Sequence, residues 1–217
     1  MSLANLEYVF GHVDNIDCMA GKAAYRNYHN LLRQLSDLYG FGFVQTVAAF
    51  AALSPNNDYM GNLRSTVSLM QGIKSNKLPE DITISTYRAC GERAYNYLIG
   101  EKDFLVSTKG KKTINFYRNI LHPDDAKWVT IDGHMYGMWV GCPIVMKEVA
   151  HIKIPYETIA SAVKTLAKRN SLLPNQMQAT LWFVWKRMNN IVFERQLPLL
   201  NNDPWKLALD VSTIKPF

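Results

Sequence analysis

Cysteine is scarce: Cys18, Cys90 and Cys142 are the only three in 217 residues, and they lie far apart. Three thiols cannot build a disulfide framework, and a Cys-only metal or iron–sulfur site needs four. No CxxC occurs, so the thiols are expected to be small buried side chains in a reducing compartment. Long apolar runs are missing too. The clearest, Val47 to Leu53, is far short of the roughly 20 residues that span a bilayer, so no membrane partner is expected. The first twenty residues hold Glu7, Asp14 and Asp17 without a basic start, which predicts no secretory signal. A cytoplasmic or nucleoid-associated location follows as the expectation. Internal repeats and low-complexity tracts are absent, and 48% of the residues are apolar, which excludes a disordered chain.

What the sequence has is helix. Scaling of surface with mass predicts that about 70% of the extended chain's surface is buried on folding, enough for a real core. From Ala20 to Tyr39 the apolar residues Tyr25, Tyr28, Leu32, Leu35 and Leu38 recur three or four apart, and Gly40 supplies a stop. Phe43 to Leu53 is apolar nearly all round, as in a helix buried on every side. Ser54-Pro55-Asn56-Asn57-Asp58 breaks it, and Asp58 or Asn57 can cap the next helix, to about Gln71. A linker over 72–80 precedes a helix from about Ser85 to Ile99. Phe104-Leu105-Val106 is a short apolar piece, separated by Lys109-Gly110 from a helical stretch reaching Leu121.

His122-Pro123-Asp124-Asp125 then makes a turn. Trp128-Val129-Thr130-Ile131 reads as extended chain leading into Asp132, a cap for a helix through about Val140. Two more helices are predicted, from Pro155 to about Asn170 and from Pro174 onward, with a weakly patterned tail from Asn201 to Phe217. The expectation is an all-α bundle of eight or nine helices. It forms one compact monomeric unit with a central cleft, or two helical lobes around one.

The charge balance is mild: 24 Lys and Arg against 18 Asp and Glu give +6. Such a balance implies a nucleic-acid partner only with a companion signal. That signal sits in Thr108 to Trp139. Lys111 and Lys112 follow Gly110 at a helix start, where anions are preferred and a cation pair is locally unfavourable. A bound phosphate, a lysine kept for its amine, or an ordinary solvated turn would each account for them. Crowded lysines disfavour one another's protonated form, which suits a nucleophilic amine. Twenty residues beyond Lys112 stands Asp132, a capping aspartate or a carboxylate able to stabilise a developing cation. No HExxH and no Cys/His cluster supports a metal, and no cofactor is expected. Lys102, Lys109, Lys111, Lys112, Lys147, Lys153, Lys164 and Lys168, with Arg118, Arg169 and Arg187, would make a basic stripe or simply solvated helix faces.

Gly110-Lys111-Lys112-Thr113, followed by Val129-Thr130-Ile131-Asp132-Gly133-His134-Met135, resembles the active-site segment of the helix-hairpin-helix DNA glycosylase superfamily. The endonuclease III branch has a similar Gly-Arg-Lys-Thr, and the 8-oxoguanine branch a similar Val-Asp-x-His-Met. Ala51 to Asn57 is similar to the helix end and asparagine-rich loop that enters the duplex beside a flipped nucleotide. The resemblance runs from about Phe43 to Val140. It implies a helical glycosylase fold acting on double-stranded DNA that carries a damaged or modified base.

Residue by residue, Lys112 matches the Schiff-base lysine, Asp132 the catalytic aspartate and His134 the histidine two residues on. Asn56 is the best match for the asparagine facing the orphaned base, with Asn57 the near alternative. Lys109, Gly110 and Lys111 fall on the phosphate-binding hairpin. Where the family hairpin reads Leu-Pro-Gly-Val-Gly, this chain has Val106-Ser107-Thr108-Lys109-Gly110, so one glycine remains and lysines flank it. Lys111 would point about 100° from Lys112 around the helix, toward a phosphate. The four-cysteine cluster loop of the endonuclease III branch is absent. Gln176, Gln178, Trp182 and Trp185 have no counterpart in the family; they either line the base pocket or, for the tryptophans especially, pack the core. Competing expectations are a non-catalytic DNA-binding module on the same scaffold and a helical protein-interaction domain. A small-molecule enzyme lacks any Rossmann or Walker signature.

Overall fold

The computed structural model describes residues 2–144, 146–149 and 151–191. Eleven α-helices account for most of them: α1 (Leu3–Phe10), α2 (Asn15–Tyr39), α3 (Phe43–Ala52), α4 (Tyr59–Lys74), α5 (Arg88–Leu98), α6 (Phe104–Ser107), α7 (Lys111–Leu121), α8 (Gly133–Val140), α9 (Met146–Val149), α10 (Tyr156–Arg169) and α11 (Pro174–Met188). A 3₁₀ turn, Pro79–Asp81, lies between α4 and α5. The chain is all-α, as its periodicity predicts. No described helix is long and apolar enough to cross a membrane.

The described residues divide into two compact units. A continuous unit takes Tyr28–Leu121, and a split unit joins 2–27 to 122–191 from the two sides of it in sequence. Helix α2 supplies residues to both, and the boundary falls after Asn27.

In the continuous unit α3 is the axis. Its residues Thr46 to Ala52 are all buried, and it packs chiefly on α5 and α7. A helix apolar on every side can only be satisfied by such enclosure. Leu63, Val67, Leu69 and Met70 of α4 add an apolar stripe, and Asp58 caps that helix by accepting the Gly61 amide at 2.6 Å. Helix α4 runs three residues into the stretch read as linker and ends at Lys74, because Gly72 lies buried under Ile82 and tertiary packing extends the helix.

The split unit has its own core. Leu6 and Val9 of α1, Met135 and Met138 of α8, Ile159, Val163 and Leu166 of α10, and Met177, Leu181, Val184 and Trp185 of α11 are buried together. Arg187 fastens the last turn of α11 to the first turn of α2 through Asp17, fully buried, at 3.1 Å from Nε and 2.5 Å from Nη2. Helices α1, α6 and α9 are only eight, four and four residues long, too short to show a period, which is why the count exceeds the expected eight or nine. The thiols also depart from expectation. Cys90 is buried, Cys18 is half-buried, and Cys142 is exposed on the turn that ends α8. The tail from Asn201 lies outside the described residues, as does the Lys147 side chain.

Candidate functional site

Lys112 belongs to the continuous unit and Asp132 to the split unit, so each has its own neighbours. Lys112 stands in the first turn of α7. The preceding helix, α6, is one turn long, and only Thr108, Lys109 and Gly110 separate the two, so the apolar piece of the sequence is the first arm of a helical hairpin. Asp103 caps α6 through the Val106 amide at 2.9 Å. Phe104 is buried and stacks on Tyr117 with 4.3 Å between centroids. The Tyr97 hydroxyl meets both Ser107 Oγ (2.8 Å) and Thr108 Oγ1 (3.1 Å), tying the connection to α5. Burial of the Tyr117 phenol, with Asp103 adding to it, pushes its pKa up and keeps that ring neutral. Lys109, Gly110 and Lys111 are exposed at the tip.

The half-buried Lys112 side chain turns back instead of reaching out. Its Nζ donates to Ser54 Oγ at 2.8 Å, across 58 residues of chain, and lies 5.3 Å from the Phe116 ring centre. The Ser54 hydroxyl proton already goes to the Ala51 carbonyl at 2.9 Å, so toward the amine this oxygen is an acceptor. Phe116 stacks on Phe50 and meets Tyr28 edge-on, and Tyr28 in turn touches Tyr59. The amine therefore sits where the α3 end loop meets an aromatic wall.

That loop separates the two asparagines. Asn57 is held internally: Nδ2 donates to the Leu53 carbonyl at 3.1 Å, and Oδ1 accepts from Ser85 Oγ at 2.9 Å. Ser65 Oγ supports Ser85 in turn, 2.8 Å from its hydroxyl. Asn56 is exposed and left-handed, with φ of 50°. Asparagine tolerates that conformation better than most residues, and it puts Asn56 at the loop's apex.

Asp132 is built by longer-range contacts. Val129 to Ile131 are buried but join no sheet; the Tyr156 hydroxyl replaces a partner strand, accepting the Ile131 amide at 2.9 Å and donating to the Val129 carbonyl at 2.6 Å. Asp132 then caps α8, with Oδ1 accepting the Met135 amide at 3.0 Å. Its other oxygen, Oδ2, accepts the Trp182 indole N–H at 3.1 Å. His134 meets the Trp182 ring edge-on at 6.0 Å, and the Lys186 ammonium lies 3.8 Å over that ring. Burial lowers the His134 pKa, with Asp132 opposing and Lys186 assisting, so the imidazole is neutral at pH 7.

Sequence reasoning missed Tyr156 and Lys186, which stand in no motif, and placed Ser54 in the helix-end loop without marking it as the partner of Lys112. The α11 glutamines are structural. Gln178 accepts the Tyr25 hydroxyl at 2.7 Å, and Gln176 caps α11 through the Leu173 amide at 3.0 Å. Trp185 is buried as a core residue, whereas Trp182 is half-buried and bonded to Asp132. Arg169 is paired with Glu7 at the surface, and Arg187 with the buried Asp17, so Arg187 is committed to holding α11 on α2. Among the described residues no group of three or more His, Cys, Asp or Glu stands together as metal ligands do.

The fold and these clusters define an all-α protein with a lysine on a helical hairpin and a capping aspartate beside a tryptophan. A family described as "Family of unknown function (DUF7178)" matches residues 2–189, and the chain belongs to that family. No curated protein matches, and neither does any solved structure.

Proposed function

We propose that this chain is a DNA glycosylase with an associated lyase activity at abasic sites, removing a damaged or modified base from duplex DNA through a Lys112 Schiff base. The observation that carries the reading is the hydrogen bond from Lys112 Nζ to Ser54 Oγ. It joins two segments that resemble the glycosylase family separately: the hairpin Gly110-Lys111-Lys112-Thr113 and the helix-end loop Ala51 to Asn57. A surface lysine serving only solubility would extend into water rather than lie half-buried at that loop.

Extruding a nucleotide costs a few kcal/mol of stacking and pairing, and Asn56 at the loop apex is placed to fill the gap. Asn57 holds the loop in shape, while Lys109, Gly110 and Lys111 face the backbone phosphates. As the glycosidic C1′–N bond breaks, the base leaves with the bonding electron pair and takes up a proton. The ionised Asp132 carboxylate stabilises the oxocarbenium character left on the sugar. The neutral Lys112 nitrogen bonds to C1′, and the sugar ring opens to the protonated imine. Loss of a C2′ proton then expels the 3′ phosphate, and water hydrolyses the imine to release the lysine. Neutral His134 acts as a hydrogen-bonding contact to the DNA rather than a second cation.

The test is a panel of duplexes, each carrying one modified base or an abasic site, scored for strand cleavage and borohydride trapping. Lys112→Gln is expected to abolish trapped covalent complexes while duplex binding stays within about twofold. Asp132→Asn is expected to lose base excision with the helical content retained. Trapping that persists in Lys112→Gln, or unchanged single-turnover excision in Asp132→Asn, would sink the assignment.

A further inference from the structure

We infer that Trp182 is the positioning residue of Asp132, fixing the plane of its carboxylate for the reaction. This rests on the glycosylase reading above and adds a residue from α11, a helix outside the segment that resembles the family. The Met135 amide alone holds only Oδ1, and a carboxylate held at one oxygen still turns about its Cβ–Cγ bond. The indole N–H on Oδ2 at 3.1 Å removes that freedom, and it comes from an element 50 residues away.

The indole is itself restrained from several directions. Lys186, one turn along α11, covers one face at 3.8 Å. His134 approaches edge-on at 6.0 Å, and Phe183 packs at 82° to the ring with centroids 5.3 Å apart. Helix α11 is anchored in turn by Arg187 on the buried Asp17. Each side chain in this chain fixes the next, and the last is the carboxylate. A tryptophan kept for packing would be enclosed as Trp185 is, at 5% exposure; Trp182 is half-buried and its polar edge points at Asp132. A carboxylate that stabilises a transient cation acts through pre-set orientation, so a donor that holds it still contributes to the rate and not to DNA affinity.

The experiment uses the full chain and Trp182→Phe, which keeps the aromatic ring and removes the donor. Single-turnover excision is expected to fall about 10- to 100-fold. Borohydride trapping on an abasic duplex, where no base has to leave, is expected to stay within about twofold, as is the duplex Kd. A second measurement keeps Trp182 in place. In ¹⁵N-labelled protein the Trp182 indole resonance, identified by its loss in Trp182→Phe, is expected to move in Asp132→Asn while the other four hold.

Excision by Trp182→Phe at the wild-type rate overturns the inference. So does an equal loss of excision and trapping, which marks a merely structural ring, and so does an indole resonance indifferent to Asp132→Asn. A wild-type protein that releases no base from any duplex brings down the glycosylase reading and this inference with it, and it shows before any variant is made.

Discussion

Lys112 and Asp132 each stand at the start of a helix, twenty residues apart in sequence, and the two units hold them by opposite means. In the continuous unit the restraint is a polar mesh. Ser65, Ser85 and Asn57 exchange hydroxyl and amide hydrogen bonds around a loop, and the amine donates at the start of that loop to Ser54, whose own proton goes to the Ala51 carbonyl. In the split unit it is a frame of apolar helices, from which two polar atoms reach in, the Tyr156 hydroxyl and the Trp182 indole. A mesh of small hydroxyls tolerates the loss of one bond, because neighbouring oxygens and water can replace it. A frame held by apolar packing does not.

The sharpest break of the comparison is made where α2 and α11 pack together. A Cβ added to Gly21 would stand 2.0 Å from Thr180 Oγ1, 2.6 Å from the Thr180 nitrogen and 2.7 Å from its Cα. Backbone cannot rotate away, so Gly21→Ala must push the two helices apart. The expected cost is about 3 kcal/mol, at the upper end of ordinary overpacking. Denaturant unfolding followed by hydrogen exchange of the α11 amides measures it. Thr180→Ala removes the hydroxyl but leaves nitrogen and Cα in place, and so is expected not to restore the loss. A rescue by Thr180→Ala would show that the frame yields as the mesh does.

Those contacts mark the limit of what local sequence carries. Helix starts were legible at Asp58 and Asp132, which cap their own helices, and the helix after Asp132 ends at Val140 as its pattern predicts; Asp103 caps α6 in the same way, but four residues show no period to mark it. Cap chemistry acts across three residues, so it is visible in a window. Helix α1 escaped because Ser2, its cap position, makes no side-chain bond there, and eight residues show little period. The candidate lysine and aspartate were legible as residue types in a motif. Their restraints were not, since Ser54 lies 58 residues from Lys112, Tyr156 lies 25 from Ile131 and Trp182 lies 50 from Asp132. Nothing within one sequence pairs a particular hydroxyl or indole with a distant partner. For the two tryptophans the same period along α11 serves both a core face and the site, so Trp182 looked like Trp185.

A smaller break acts on the approach to Asp132. Tyr156→Phe keeps the ring but removes the hydroxyl that stands in for a sheet partner at Ile131 and Val129. The buried Ile131 amide then loses its acceptor, for an expected 1–2 kcal/mol, about what a hydrogen bond to a buried backbone group is worth. Because Asp132 follows directly, excision should fall by more than the stability loss alone would cause, while trapping at an abasic site is retained. Ser85→Ala in the continuous unit removes a hydroxyl of similar connectivity and is the matched control. An equal effect of the two variants on excision would erase the distinction between frame and mesh.

The finest test returns to glycine, at the hairpin tip. Gly110 contrasts with Gly21 in its surroundings, though neither has a positive φ. It is exposed, its φ is not positive, and an added Cβ would meet only Thr113 Oγ1, at an ordinary 3.8 Å. Nothing among its described neighbours requires glycine. Gly110→Ala is therefore expected to leave stability unchanged or raise it by about 0.5 kcal/mol, through the smaller entropy of the unfolded chain. If a DNA phosphate approaches the Gly110 amide as proposed, the added methyl stands in its way. Duplex affinity should then fall by about two- to threefold, with the salt dependence set by Lys109 and Lys111 preserved. Fluorescence anisotropy on an abasic duplex at two salt concentrations measures both. Affinity equal to wild type at both would move the phosphate contact off the hairpin backbone and onto the lysine side chains alone.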